Sequence, residues 1–505
     1  MFENTPLLSI LIWWPVLAAI VLLFSAKKIP VSIIKKWTVL ASLAELLMCI
    51  PLYQHFNVNS YEMQFQESHS WISMFGIRYA LGIDGISLAL ILLTAFTTFV
   101  VVIGSCKLVK NNIAQYMAAF LMAQAMMIGV FAALDAILFY VFWEAMLIPM
   151  FLSIGIWGDK QRSYAAIKFF IYMFLGSVVM LVAILYLHQI THSFEITKFY
   201  DVVLPRHVEL WLFAAFFIAF AIKLPLWPLH TWLLDVHTES PAGGSVVLAS
   251  LMLKIGVYGF IRFSMPILPV ANQIMAPYMI ALALIAIIYV GIMALVQNDM
   301  KKLIAYSSIA HMGFAVLGCF MVYSIIHFSH SIFEAYMSFE GAVVQMISHA
   351  FNTGGLFLAA GMMQYWVGSR NLKDWGGLAK TMPIFAAFFM LFALSNVGLP
   401  GTSGFVGEFM VIVAAFHADF CIALFASLTL VIAAAYTLLM VKKIFFGPIT
   451  NHKVEVLQDI GIHEIFVFGL LSIGIIFIGV YPQWLLEMLH ASVGHLLNDS
   501  LMFGA

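Results

Sequence analysis

The chain has 505 residues, 64% hydrophobic and 9% charged, with a mean hydropathy of +1.03. Soluble domains carry about 25% charged residues, so a water-soluble domain, or a string of them, is excluded and a polytopic membrane protein remains. The net charge of −1 argues against nucleic acid, which calls for a basic surface.

Counting about 20 apolar residues per crossing of the hydrocarbon core divides the chain into fourteen spans. They are residues 7–26, 37–54, 83–106, 113–133, 136–156, 163–187, 209–233, 241–264, 276–297, 302–323, 337–364, 383–417 (interrupted), 420–441 and 464–483. The fold class is therefore all-α and polytopic. In the first run the positive charges, Lys27 and Lys28, follow the apolar stretch, so it reads as a retained span and not as a signal peptide. The longest connections, 55–82, 188–208 and 442–463, read as loops, and residues 1–505 as one membrane domain. With an outside N-terminus, the inside loops hold sixteen of the 23 Lys and Arg residues, Lys301 among them. The outside loops hold four, Arg78, Lys198, Arg206 and Arg262. That asymmetry places both termini outside.

Glu45, midway along the second span, is a buried acid with no assigned role, and Asp135 reads as a helix-start residue. Glu144 stands in span five with no polar neighbour for several residues on either side. Ionisable groups at such depth are expensive and mark ion pathways; the alternative is a static ion pair. Lys168, near the inward end of span six, is a further relay candidate that is also placed to snorkel.

Span seven carries Lys223, followed at once by Pro225 and Pro228. A proline inside a helix costs roughly 3 kcal/mol and a lysine at bilayer depth a further ~2.5–3.5 kcal/mol. Broken helices beside an ionisable group mark binding and transport sites. His230 and His237 flank the exit of this break as further relay candidates. Lys254 is central in span eight, and His311 and His349 lie in spans ten and eleven, where histidine suits proton shuttling. Span twelve is broken at Ser395–Gly404, and Glu408 follows. Five helices separate the two breaks, the pattern of two inverted five-helix repeats, spans 4–8 and 9–13. The chain then divides into 1–112 (helices 1–3), 113–264 (first repeat), 276–441 (second repeat) and 464–505 (last helix and tail). A row of titratable groups is expected across the mid-plane, reached by wet half-channels from each side. The four cysteines are scattered without a C-x-x-C pair, so no disulfide framework, zinc site or iron–sulfur site is expected.

Four runs now resemble a known family: Phe142–Pro149 (FWEAMLIP), Lys223–Leu233 (KLPLWPLHTWL), Lys301–Gly313 (KKLIAYSSIAHMG), and Gly398–Gly401 with Gly407–Phe409. They resemble the antiporter-like subunits of respiratory complex I, over about residues 80–445. The resemblance implies fourteen core helices with the seventh and twelfth broken, and a non-redox membrane subunit of a proton-translocating NADH:quinone oxidoreductase. It implies that Glu144 and Lys223 form a coupled pair, that Lys254 is the central relay, and that Glu408 is the terminal group of the outer half. Sister subunits L and N, expected as neighbours, carry lysine where Glu408 stands. The chain itself would bind no cofactor, with FMN, iron–sulfur clusters and quinone elsewhere in the complex. The expected location is an energy-transducing membrane, the bacterial inner membrane. Leu234 departs from the family, which has proline there, and this leaves the bend after span seven open. The rival readings are a subunit of a multi-chain sodium/proton antiporter, a membrane subunit of a proton-translocating hydrogenase, and a purely structural subunit.

Overall fold

The structure is a computed structural model and describes residues 5–449 and 451–502. Every one of the fourteen expected stretches is helical. The first four helices are α1 (Leu7–Ser25), α2 (Val31–Gln54), α3 (Gly85–Ser105) and α4 (Ile113–Ala132). Span five forms α5 (Ala136–Ala145) and α6 (Leu147–Trp157), because Pro149 lacks the N–H that would bond the Ala145 carbonyl. After α7 (Arg162–Thr191) and the short α8 (Ile196–Tyr200), span seven splits into α9 (Arg206–Lys223) and α10 (Thr231–Glu239). The helix α10 runs through Leu234 without a bend. Then come α11 (Ala242–Ile267), α12 (Pro269–Leu295), α13 (Met300–Phe328) and α14 (Ile332–Val367). Span twelve splits into α15 (Pro383–Val397) and α16 (Ser403–Ala418), followed by α17 (Phe420–Phe445), α18 (Ile462–Val480) and α19 (Gln483–Met502). Among the described residues, ten helical stretches are long and apolar enough to cross a membrane, by length and composition alone.

Two expectations are corrected. The supposed loop 55–82 is no loop throughout: Gln64–Ile72 (β1) and Ile77–Ile83 (β2) pair antiparallel, turning at Gly76. The hairpin has a packing reason. Glu67 accepts from the amides of Leu8 (2.8 Å) and Ser9 (3.2 Å), satisfying donors that the first turn of α1 leaves orphaned. The second correction is the tail, which continues as α19 and docks on α3 and α14.

The helices sort by exposure. The helices α3, α4, α11 and α13 are almost wholly buried and α14 mostly so, whereas α7, α17 and α18 turn most of their surface outward. Apolar side chains on that outer shell carry no penalty in lipid. The most extensive helix contacts are between α13 and α14 and between α14 and α16. In α11 the backbone widens into π-turns at Leu248–Met252 and Phe260–Ser264, a departure frequent at functional sites.

Candidate proton-relay site

The first break is where the prolines place it. The ladder of α9 closes with Leu224 N bonded to Phe220 O (2.8 Å) and Leu226 N to Ala221 O (2.9 Å). Lys223, the last residue of α9, is fully buried, and its Nζ lies 3.8 Å from the centroid of the Trp143 ring. An ammonium over an indole face gains about 2 kcal/mol or more when desolvated. Glu144 is the next residue along α5. Glu144 Oε1 and Lys223 Nζ are nevertheless both buried without a hydrogen-bond partner. The implied pair is therefore not joined by a hydrogen bond. Gly256 lets α11 lie directly on this break, since a Cβ there would meet the Leu224 amide nitrogen at 2.8 Å.

From α11 a row of polar side chains crosses the interior. Lys254 is fully buried; its Nζ donates to the Ala249 carbonyl (2.6 Å), inside the first π-turn, and lies 2.6 Å from His349 Nδ1 on α14. The His349 ring stands 6.3 Å, centroid to centroid, from that of His311 on α13. His311 Nδ1 lies 2.5 Å from Glu408 Oε1 on α16. Gln345 Nε2 donates to the same oxygen at 2.8 Å, and Tyr436 Oη lies 3.2 Å from His311 Nε2. Facing a carboxylate, Nδ1 must carry a hydrogen, so in neutral His311 Nε2 accepts from Tyr436. Four helices thus bring Lys254, His349, His311 and Glu408 into one line.

The second break sits beside this line. Gly398 and Gly401 take positive φ (82° and 88°), a region open to glycine at little cost. Asn352, one turn beyond His349, ties the broken ends together. Its Oδ1 accepts from Ser395 (2.6 Å) and Ser403 (3.3 Å). Gly407 brings Glu408 close: a Cβ on it would meet the Gln345 amide nitrogen at 2.6 Å.

Other expected residues lie elsewhere. Lys168 pairs with Asp235 at 2.7 Å between α7 and α10, apart from the row. His230 is buried at the start of α10. His237 is fully buried and stacked on Phe357, with rings 4.4 Å apart and both nitrogens unpartnered. Asp135 caps α5 as expected, through Ile137 N and Leu138 N. Glu45 is fully buried and neither of its oxygens has a partner. Two loop assignments are corrected, because both side chains lie within helices and are buried. Arg262 lies inside α11, buried against Asp84 at 2.8 Å. Lys301 lies inside α13, buried with its Nζ donating to Ser240 O (2.9 Å). Lys301 lines a cavity of about 720 Å³ with Lys110, Asp159, Arg162 and Glu239.

Reading the sequence also missed Gln345, Tyr436, Asn352 and Trp143. Gln345 and Asn352 could have been found, at four residues before and three after His349, on one helix face. Among the described residues no group of three or more His, Cys, Asp or Glu side chains could hold a metal ion.

The comparisons agree with one another. Residues 133–434 match the family model described as NADH:quinone oxidoreductase/Mrp antiporter, TM. The chain is 41% identical to NADH-quinone oxidoreductase subunit M of Rhodobacter capsulatus, over 98% of this chain and 96% of that one. A subunit in the structure of respiratory complex I from Thermus thermophilus with bound NADH superposes with a TM-score of 0.85 at 29% identity, covering 97% of this chain and 99% of that one. A chain of the Mrp complex from Dietzia sp. DQ12-45-1b gives a TM-score of 0.82 at 19% identity, covering 98% of this chain and 52% of that one; this likeness is of fold alone.

Proposed function

This chain belongs to the NADH:quinone oxidoreductase/Mrp antiporter family, within its subunit M branch, and on that premise we propose that the buried row is its proton relay. The chain is an antiporter-like, proton-translocating membrane subunit. Quinone reduction at redox centres elsewhere in the complex, served by FMN and iron–sulfur clusters, drives it. Subunits L and N are its neighbours in the membrane arm. The pole rich in Lys and Arg, with the cavity around Lys301, faces the inside, and both termini face the outside. The two helix breaks belong to two inverted repeats, 113–264 and 276–441.

The observation that carries this reading is the line Lys254–His349–His311–Glu408, with 2.6 Å and 2.5 Å contacts at its two ends. Burial penalises the charged form of each group, and an opposite charge restores it. A change of charge at Glu144 therefore tightens or loosens the proton held by Lys223 and, through the packed break, by Lys254. From Lys254 Nζ the proton passes to His349 Nδ1, crosses to His311 through a bridging water, and reaches the Glu408 carboxylate. His237 and His230 supply the row from the inner side, and Lys168 has at most an indirect effect through Asp235.

The test is Lys254→Met in the assembled complex, reconstituted into liposomes. The expected result is loss of NADH-driven proton pumping with the complex intact. Wild-type pumping and quinone reduction in this variant would rule out the relay.

A further inference from the structure

We infer that the Arg262–Asp84 pair is an insulating plug, which closes the outer end of α11 to a proton held on Lys254 and leaves the sideways route through His349. The inference rests on the relay reading above.

The helix α11 runs between two cavities. The inner one contains Ala242 and Lys301. The outer one, about 680 Å³, is lined by Asp84, Glu195, Tyr200, Arg262 and Ser492 among others. Lys254 stands between them, about 18 Å along the axis from Ala242 and about 12 Å from Arg262 at 1.5 Å per residue. Lys254, Tyr258 and Arg262 recur every fourth residue, so they share one face. A way from Lys254 to the outer cavity along this face is therefore only about 12 Å long. Without a barrier the second half of the row would be bypassed.

What stands on that face does not conduct. A hydrogen-bonded chain passes protons only if each member both accepts and donates. A guanidinium has five donors and no acceptor, and it stays charged. All its bonds here are donations: Nε to Tyr258 Oη (3.3 Å), and Nη2 to Ser87 Oγ (3.3 Å) and to Asp84 Oδ2 (2.8 Å). The Tyr258 hydroxyl donates to the Phe131 carbonyl at 3.0 Å and lies 2.9 Å from Ser87 Oγ, but both hydroxyls lead only to the guanidinium, which cannot accept a proton. Asp84 is held between the guanidinium and the Ser87 amide (2.9 Å). Both charges are buried, at 4% and 2% exposure. A buried ion pair is a costly way to join two helices that apolar contacts would join as well. Its particular merit here is a fixed cation that repels an excess proton, as arginine does in proton-excluding pores.

The test uses the whole complex in liposomes, with an imposed pH gradient and no substrate. The double variant Asp84→Asn/Arg262→Gln removes the pair without stranding a charge. We expect its passive proton conductance to rise severalfold over the wild-type complex. Protons pumped per NADH should fall, while the uncoupled NADH:quinone rate holds. Adding Lys254→Met should abolish the leak. Should the double variant not assemble, Arg262→His puts a group that both accepts and donates in the same place, and it too should leak. Arg262→Lys, a donor-only cation, should stay tight. No leak in either leaky design would reduce the pair to a clasp between helices and overturn the plug. So would a leak that survives Lys254→Met, or a loss of pumping in Tyr258→Phe with the pair intact. Intact pumping in Lys254→Met alone would instead sink the relay reading.

Discussion

Gly407→Ala probes the relay through its geometry alone, without touching a titratable group. The new methyl would lie 2.6 Å from the Gln345 amide nitrogen, roughly 0.8 Å short of ordinary contact. That nitrogen is backbone in the middle of α14 and cannot swing aside, so α16 must move outward. A shift of that size stretches the 2.5 Å contact between His311 and Glu408 to roughly 3.3 Å, past the usual range. A charge-assisted bond is worth about 1.5–3 kcal/mol, so the conducting geometry should become rarer by on the order of ten- to hundredfold. The assay is proton uptake into liposomes at matched NADH oxidation, with assembly checked by native gel. Gly354→Ala, on α14 as well, is the control. Its methyl would meet side chains alone, the Ser250 hydroxyl at 3.1 Å and, at ordinary contact distance, Val246 and Leu471, and should cost little because a hydroxyl can give by a few tenths of an ångström. An assembled Gly407→Ala complex that pumps at the wild-type rate would refute the claim that the His311–Glu408 contact limits transfer.

Three further outcomes follow from other contacts. Glu408→Gln should abolish pumping in the assembled complex, whereas Glu408→Lys should retain part of it, since it places a titratable ammonium beside His311; equal loss in both would point to a structural role. Trp143→Phe and Trp143→Leu should slow pumping in that order, because a phenyl face holds the Lys223 ammonium less well than indole and leucine not at all; equal rates in all three would show that the ring contact is idle. Asn352→Ala removes the amide that joins Ser395 to Ser403 and should cost about 1–3 kcal/mol, read as a lower midpoint of thermal inactivation.

Lys223 and the two prolines behind it were legible from sequence because each is costly in oil, and their coincidence leaves function as the economical account. Lys254, His311, His349 and Glu408 were legible one at a time for the same reason. Their alignment was not, because it depends on how α11, α13, α14 and α16 pack, and a period along one helix carries no information about its neighbour. Trp143 gave no signal at all: an aromatic residue in an apolar run looks like any core residue until a lysine is found against its face. Arg262 was misread for a different reason. It lies two residues inside the end of the expected span, near enough to the boundary to be counted with the loop, and the continuation of α11 to Ile267 sets it a full turn deeper. The hairpin of residues 64–83 escaped because its first strand is largely polar and its second runs straight into the apolar stretch of α3, so no apolar alternation announced them.

The docking of α19 has a bearing on how the molecule is made. Ser492 on this helix accepts from the Gly85 amide at 2.9 Å, and Ser492, His495 and Leu496 form part of the wall beside Arg262. A ribosome releases α19 after every other helix described, so the wall stays unfinished until that helix has been made and has docked. A chain stopped before Gln483 would carry every charged side chain of the row and still lack one side of the chamber beside Arg262.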